Sequence, residues 1–551
     1  MTAANTTQPP SQTARAAAVA LTRVDALAVA IPAVLGAGVW LWFGLTTRVA
    51  LEDAFITFRY ARNIALGHGF VYNLGERVLG TTTPLQALLL AALGRVLGPD
   101  HIPTIAAWLM PVFGLAAGVL APLALRRLGL ARPPMVVAAL VLYLHVTIIR
   151  TSLGRMETPL VLFLMALSLY FLAQGRSLAA TIAVAFLALC RADGLIWGGL
   201  VVGLSLLSRH RRPLAQCIGF CCVIAPWVLF ALLYFGSPIP NTILAKGVVR
   251  PGEEHQLLQA RYVRDLARWF ITGTGFALNH PGFRVWVAML ALGAFSLVRQ
   301  RRRELLLMLA YPPVYAIVLY LGRAPKYPWY LVPALFCSLL VGAAGIGQLL
   351  SWAGSRRLDW RWRAVIALCG VAALAPGAWR LARDLPRQVA HTKRFQENEI
   401  GLRRGVGLWL RDHTPPDATV AMEAIGYQGY YSQRRVVDLV GLISPKVVQF
   451  KASTSSNAEV FKRVTTELQP DYIVLRSYEV DENKHFNGGP LFDTAADERL
   501  FQTHYMEMRR FTARHPKLYP LLTHLTLFAR RDKLSPVETG GTTTPAAWPD
   551  P

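Results

Sequence analysis

The chain has 551 residues, 54% of them hydrophobic and only 16% charged, against roughly 25% charged in soluble domains. Its mean hydropathy of +0.37 places it among membrane proteins before any segment is inspected. The net charge of +25 does not mark a nucleic-acid binder, because Arg and Lys cluster in short gaps between apolar runs, as in bacterial inner-membrane proteins. All six cysteines (Cys190, Cys217, Cys221, Cys222, Cys337 and Cys369) lie inside apolar runs. That argues against a disulfide framework, and no Cys/His spacing suggests zinc.

In chain order, residues 1–24 read as a disordered cytoplasmic N-terminus. No small-residue cleavage site follows the first apolar run, so that run reads as a retained helix rather than a signal peptide. A spanning helix needs about 20 mostly apolar residues. Such runs occur at 26–46, 103–125, 134–150, 158–174, 177–190, 194–208, 214–235, 283–298, 305–322, 328–350 and 363–381. Two of them, 177–190 and 194–208, are short and joined tightly at Arg191-Ala192-Asp193-Gly194.

The apolar run 84–98 is ambiguous, and the charge rule decides it. Basic clusters such as Arg126/Arg127/Arg132 and Arg299/Arg301/Arg302/Arg303 should face the cytoplasm. They all do so only if 84–98 lies along the membrane surface. It then reads as a juxtamembrane helix with Thr83 as N-cap and Pro84 at its first position. The expected architecture is a polytopic α-helical membrane domain over 25–384 with about eleven spans, N-terminus inside. Residues 50–102 form the first outer loop. Residues 255–272 have the amphipathic pattern of a helix lying on the surface.

Residues 385–532 read as an extracytoplasmic α/β domain. Helices are expected at 397–412 and 458–468, and strands at 418–422, 435–439, 472–475 and 522–529. Residues 533–551, rich in Thr, Gly and Pro, read as disordered.

The segment most informative about chemistry is Leu51 to Pro84. It opens with Glu52-Asp53, directly after the first span. A carboxylate at the outer end of a helix is placed to take a proton from an incoming hydroxyl. The plainer role, carrying equal weight, is to cap the next helix. Arg59, Arg62 and Asn63 follow within one helical turn, with Gly67 as a C-cap. An Arg pair beside a carboxylate near the membrane can hold a lipid phosphate, or simply touch headgroups. Glu157 begins a span from the outer side, where an unpaired charge is costly; Arg150 and Arg155 are its nearest partners in sequence. Asp193 reads first as a turn-former before Gly194.

The stretch Glu52-Asp53-Ala54-Phe55-Ile56-Thr57-Phe58-Arg59-Tyr60-Ala61-Arg62-Asn63, followed by Gly67-His68-Gly69-Phe70-Val71-Tyr72-Asn73 and Gly75-Glu76-Arg77-Val78, resembles the first outer loop of a bacterial branch of the GT-C glycosyltransferases. That branch includes cell-wall arabinofuranosyltransferases. Further segments resemble it in the same order: Gly154-Arg155-Met156-Glu157-Thr158, Arg191-Ala192-Asp193-Gly194, Gly236-Ser237-Pro238-Ile239-Pro240-Asn241-Thr242 with Lys246, Trp329-Tyr330 with Pro333, and in the tail Gly426-Tyr427, Asp438 and Gly441-Leu442. Together they cover most of the chain from about 50 to 445.

The resemblance implies a membrane enzyme that moves a sugar from a polyprenyl-phosphate carrier to an envelope glycan, lipid or protein on the outer face of the inner membrane. It implies an acidic residue of the first outer loop as general base. Many members carry two Asp there; here the first is Glu52, so the base falls on Asp53. Arg59, Arg62, Lys246, Arg323 and Lys326 are the candidates for the donor phosphate. Its departure needs charge compensation from Arg or Lys, or from a divalent ion. Candidates for substrate contact are Asn63, His68, Tyr72, Glu157, Asn241 and Trp329. Of these, His68 sits between glycines as loop residues do, and Trp329 also suits an interfacial aromatic belt. The competing reading is a transporter or flippase of lipid-linked sugars; the two similar halves that transporters show are not evident. The topology is testable directly. A reporter fused after Leu381 is expected to be active outside the membrane, and activity only in the cytoplasm would reject the eleven-span arrangement.

Overall fold

The computed structural model describes residues 19–206, 213–247, 281–321, 327–355, 359–484, 489–518 and 522–533, with the main chain alone at 206, 281–282 and 370–382. The expected surface helix 255–272, the candidates Arg323 and Lys326, and residues 1–18 and 534–551 of the two termini lie outside these.

The first part is a helical bundle. It runs through α1 (Arg23–Thr47), α2 (Ala54–Ala65), α3 (Pro84–Leu97), α4 (Ile102–Arg127), α5 (Arg132–Leu144) and α6 (Val146–Leu153). It continues through α7 (Thr158–Ala173), α8 (Ser177–Cys190), α9 (Gly194–Leu206), α10 (Pro213–Phe235) and α11 (Asn241–Gly247). After the gap come α12 (Pro281–Arg299), α13 (Leu306–Leu321), α14 (Pro328–Ala353) and α15 (Trp360–Glu399).

Five stretches among the described residues are long and apolar enough to cross a membrane: Arg23–Thr47, Pro99–Arg127, Pro213–Phe235, Arg303–Leu321 and Pro328–Ala353. A sixth appears if α5 and α6 count as one span. The sequence shows 134–150 as one run, but the chain bends by 56° at His145, whose ring accepts a hydrogen bond from the Thr147 amide. Helices α7, α8 and α9 are apolar but shorter. Length and apolarity thus account for five or six of the eleven expected spans. At 14 residues, α3 belongs with these shorter helices.

Local sequence explains the ends and contacts. Thr22 and Asp25 close a reciprocal capping box on α1, and the buried Asp25 also accepts from Arg126 and Arg132 at 3.1 and 2.8 Å. Pro84 starts α3, but Thr83 makes no side-chain cap; its hydroxyl joins those of Thr57 and Thr81 instead. Gly293 and Gly345 let α12 and α14 touch backbone to backbone. An added Cβ at either would lie about 2 Å from a carbonyl oxygen of the other helix, the small-residue contact typical of membrane bundles.

The last long helix carries the chain out of the bundle. α15 has 40 residues, so it is about 60 Å long. It passes through a π-helical turn, Ile400–Arg404, directly into helix Gly405–His413. The expected span 363–381 and the expected helix 397–412 are therefore parts of one rod.

The rod leads to a five-stranded sheet of order β2-β1-β3-β5-β4. Its strands are β1 (Thr419–Met422), β2 (Arg435–Asp438), β3 (Tyr472–Arg476), β4 (Tyr505–Thr512) and β5 (His524–Arg530). β1 pairs in parallel with β2 and β3, and β5 runs antiparallel to β3 and β4. β4 is the strand the sequence did not announce. It is half-exposed and carries an irregular register at Glu507/Arg509, which blurs the alternation by which strands are recognised.

The loop over residues 50–102 binds this domain through buried polar contacts. Arg59, only 7% exposed, donates to the carbonyls of Tyr72 (2.9 Å), Gly429 (2.6 Å) and Arg434 (2.6 Å). The Tyr72 ring lies 4.2 Å from the guanidinium carbon, and its hydroxyl donates to the Ile425 carbonyl at 2.6 Å. Asn73 pairs with the edge strand β2, its side chain exchanging two 2.9 Å hydrogen bonds with the main chain of Val436. That satisfies groups an edge strand otherwise leaves open. Phe55 stacks on Tyr427 with centroids 3.9 Å apart. Replacing Arg59 with Met strands three buried carbonyls, at a cost of about 3 kcal/mol or more. The variant is expected to keep the helix content of the bundle while its C-terminal domain becomes protease-sensitive at lower temperature. Unchanged thermal proteolysis would show that the clamp does not hold the domain.

Candidate functional site

A cavity of about 880 Å³ lies between the bundle and the C-terminal domain. Three bundle segments line one side: Leu51-Glu52-Asp53 with Ile56, Lys246 of α11, and Tyr327 with Trp329 at the start of α14. The rings of Tyr327 and Trp329 stack at 4.7 Å and within 6° of parallel. The other side comes from the rod and sheet: Glu399 and Arg403 from the helix, Glu423, Asp438 and Arg476 from the strand ends, and Tyr478 beyond β3.

The two leading carboxylates of the sequence have different surroundings. Glu52 accepts a hydrogen bond from the Gly426 amide of the C-terminal domain. Burial, and then the neighbouring Asp53 carboxylate, push the Glu52 carboxyl well above the usual range. It therefore holds a proton more readily than an exposed acid. Gly426 cannot be larger, since a Cβ there would stand 2.0 Å from the Glu52 carbonyl oxygen. Asp53 occupies the N-cap position of α2 but makes no capping hydrogen bond. The capping role does not claim its side chain, which lines the cavity.

The cavity's cations also differ. Arg403 pairs with Glu399 at 2.7 Å, Lys484 with Glu482 at 2.6 Å, and Arg476 with Glu423 and Glu479. Lys246 makes no ion pair to any described residue; its ammonium sits 5.3 Å from the centroid of the Tyr327 ring.

Of the residues singled out by sequence, Glu52, Asp53, Lys246 and Trp329 meet in this cavity. Others are spent elsewhere. Arg59 is committed to backbone carbonyls, so it is a clamp and is not placed to hold a donor phosphate. Arg62 is bonded to Asp100 at 2.8 Å. Asn63 donates to the carbonyls of Val71 and Tyr72, and Tyr72 belongs to the clamp. Asn241 donates to Gly441 and Leu442 at 2.7 and 3.1 Å, another tie to the C-terminal domain. His68 is exposed and lies outside the cavity lining.

Glu157 is 5% exposed, and its partner is Arg191 at 3.7 Å rather than Arg150 or Arg155. Arg150 reaches Gln388 instead, and Arg155 reaches the carbonyls of Pro103 and Arg48. Asp193 is more than a turn-former: it takes two hydrogen bonds from Arg191, at 3.0 and 2.6 Å, and one from Tyr315 at 2.7 Å. Arg191 also donates to the Trp329 carbonyl at 3.3 Å, so this buried network braces the aromatic wall.

Sequence reasoning missed Tyr327, Glu399, Arg403, Glu423 and Arg476. Each is a single polar or aromatic residue at the end of an element, visible only once the sheet is placed over the mouth. Among the described residues no three His, Cys, Asp or Glu side chains converge as metal ligands.

Residues 387–533 match a family described as a domain of unknown function (DUF8728). The chain is 28% identical over 332 residues to a terminal β-(1→2)-arabinofuranosyltransferase of Mycobacterium tuberculosis, covering 56% of this chain and 49% of that protein. It is 28% identical over 245 residues to a protein of the same name from Corynebacterium glutamicum, covering 39% and 35%. The chain thus spans half or less of the curated relatives it matches. In structure it resembles ArnT from Cupriavidus metallidurans bound to undecaprenyl phosphate, with a TM-score of 0.56 at 12% identity, over 95% of this chain and 100% of that one. It also resembles the Archaeoglobus fulgidus oligosaccharyltransferase, with a TM-score of 0.54 at 13% identity, over 82% and 68%. By these likenesses the chain has the fold of the GT-C glycosyltransferases.

Proposed function

We propose that the chain is a membrane glycosyltransferase that moves a sugar, arabinofuranose on the strength of its sequence relatives, from a polyprenyl-phosphate donor to a cell-envelope acceptor on the outer face of the cytoplasmic membrane. One observation carries the reading. An uncapped carboxylate, Asp53, and a cation without a described ion-pair partner, Lys246, line one cavity at the mouth of an apolar bundle.

The chemistry follows from that pairing. The acceptor hydroxyl gives its proton to the Asp53 carboxylate as its oxygen attacks the anomeric carbon. The bond from that carbon to the phosphate oxygen breaks, and its electron pair leaves with polyprenyl phosphate. Charge grows on the phosphate as it departs, and the Lys246 ammonium compensates it. Glu52, with its carboxyl raised by burial, serves as a neutral neighbour pinned to Gly426. Tyr327 and Trp329 give the flat apolar surface that suits an isoprenoid phosphate entering from the lipid. The ArnT structure bound to undecaprenyl phosphate supports a donor of this kind.

The eleven-span topology, with the C-terminal domain outside, belongs to the same proposal. It puts residues 50–102, Lys246 and the C-terminal domain in one compartment. Purified protein with polyprenyl-phosphate arabinofuranose and an arabinofuranosyl oligosaccharide is expected to release polyprenyl phosphate. Asp53→Asn should lower the rate about 100-fold or more with unchanged thermal stability. Lys246→Gln should mainly raise KM for the donor. A folded Asp53→Asn protein with full turnover would sink the base assignment.

A further inference from the structure

The sheet of the C-terminal domain presents a specific edge to the cavity. Its three parallel strands lie side by side as β2-β1-β3. Asp438 ends β2, Arg476 ends β3 and Glu423 follows β1 directly. All three line the cavity. In open α/β sheets, ligands bind outside the carboxyl ends of the parallel strands, and here that edge is turned toward Asp53.

The three residues divide the work. Asp438 shapes the loop, taking hydrogen bonds from the amides of Val440 (2.8 Å), Leu442 and Ile443. Glu423 and Arg476 form an ion pair whose side chains are 10% and 9% exposed, and Arg476 also bonds Glu479 at 2.6 Å. Two carboxylates thus share one guanidinium in a nearly dry place. A buried ion pair is a poor source of stability compared with apolar packing, and this one borders a cavity large enough for a sugar residue. Carboxylates and a guanidinium are the groups that hydrogen-bond vicinal hydroxyls, and the Tyr478 ring beside Arg476, 4.7 Å from its guanidinium carbon, adds a flat face. Leaving the neutral Glu52 aside, the acids lining the cavity (Asp53, Glu399, Glu423, Asp438 and Glu482) still outnumber the bases (Lys246, Arg403, Arg476 and Lys484), which disfavours an anionic acceptor.

We propose, resting on the glycosyltransferase reading above, that the carboxyl edge of β2-β1-β3 is the acceptor subsite, with the Glu423–Arg476 pair hydrogen-bonding hydroxyls of an uncharged glycan and holding its nucleophilic oxygen toward Asp53. Glu423 accepts hydroxyl donors best as a carboxylate. Burial, opposed by Arg476, pushes its carboxyl up to about 7. Acceptor binding therefore weakens as the pH falls through about 7 and Glu423 takes a proton.

The test uses the full chain in detergent with two probes, a neutral arabinofuranosyl oligosaccharide and a uronic-acid oligosaccharide of equal length. Titration calorimetry on the wild type should show binding of the neutral probe and weaker binding of the anionic one. In Glu423→Gln the neutral probe should bind about ten-fold more weakly, the size expected for a lost hydrogen bond to a charged group, and the inflection near pH 7 should disappear. Thermal unfolding should stay within a few degrees of the wild type, because Glu479 still pairs with Arg476. Equal binding of both probes, no binding by the wild type, or undiminished binding by Glu423→Gln would each overturn the subsite. Loss of unfolding temperature together with binding would assign the pair a structural role instead. Failure of the wild type to release polyprenyl phosphate, with the binding pattern intact, counts against the enzyme reading and not against the subsite.

Discussion

The Arg59 guanidinium holds the molecule's two halves together. It is a buried cation bonded to no carboxylate among the described residues, and it spends its donors on carbonyls from two places: Tyr72 in its own loop, and Gly429 and Arg434 in the C-terminal domain. Such a charge is tolerable only while every donor is met. Its neighbours make the same kind of contact. Asn73 completes the edge strand β2, Tyr72 reaches Ile425, and Asn241 reaches Gly441 and Leu442. The sheet is therefore fixed over the mouth of the bundle in one register. The cavity exists because of that fixing, since its two sides come from segments as distant in sequence as Asp53 and Glu423.

This arrangement gives adjacent carboxylates different fates. Both line the cavity; Glu52 is held by the Gly426 amide of the C-terminal domain, whereas Asp53, one residue on, makes no capping hydrogen bond to its own helix. Beneath them, Glu157, Arg191, Asp193 and Tyr315 form a buried network that reaches the Trp329 carbonyl. Polar groups at that depth are costly unless paired, and here they pair with one another while bracing the aromatic wall. The site thus joins a floor of stacked rings to a polar roof of strand ends. A donor with an isoprenoid tail and an acceptor rich in hydroxyls make opposite demands, and such a site meets both.

Much of this was legible in the sequence where a single segment carried the signal. Apolar runs marked the helices, and the short 84–98 run is a helix of its own, α3, with 14 residues. Strands β1, β2, β3 and β5 followed from short apolar stretches. Leu51 to Pro84 stood out as a chemical segment. What the sequence could not show was how the side chains in it would be used. Arg59 and Arg62 look alike on paper as phosphate ligands, yet one is buried against carbonyls and the other pairs with Asp100. Glu157 pairs with Arg191, 34 positions away, instead of with its sequence neighbours, because α7 and α8 bring their outer ends together. Glu423 and Arg476 become one site only when β1 and β3 pair in parallel, which no local pattern records. The bend at His145 was hidden because both halves of the run are apolar.

The central claim is that one cavity, built jointly by the first outer loop and the C-terminal sheet, is where the sugar changes hands. The most direct measurement is a cryo-electron microscopy structure of the full chain in nanodiscs with a non-hydrolysable polyprenyl-phosphonate sugar and an arabinofuranosyl oligosaccharide bound. The account predicts the phosphonate beside Lys246, the anomeric carbon within reach of an acceptor oxygen bonded to Asp53, and the isoprenoid leaving along Tyr327 and Trp329. A well-ordered donor bound elsewhere on the bundle, with the space between Asp53 and Glu423 left without ligand, would contradict it.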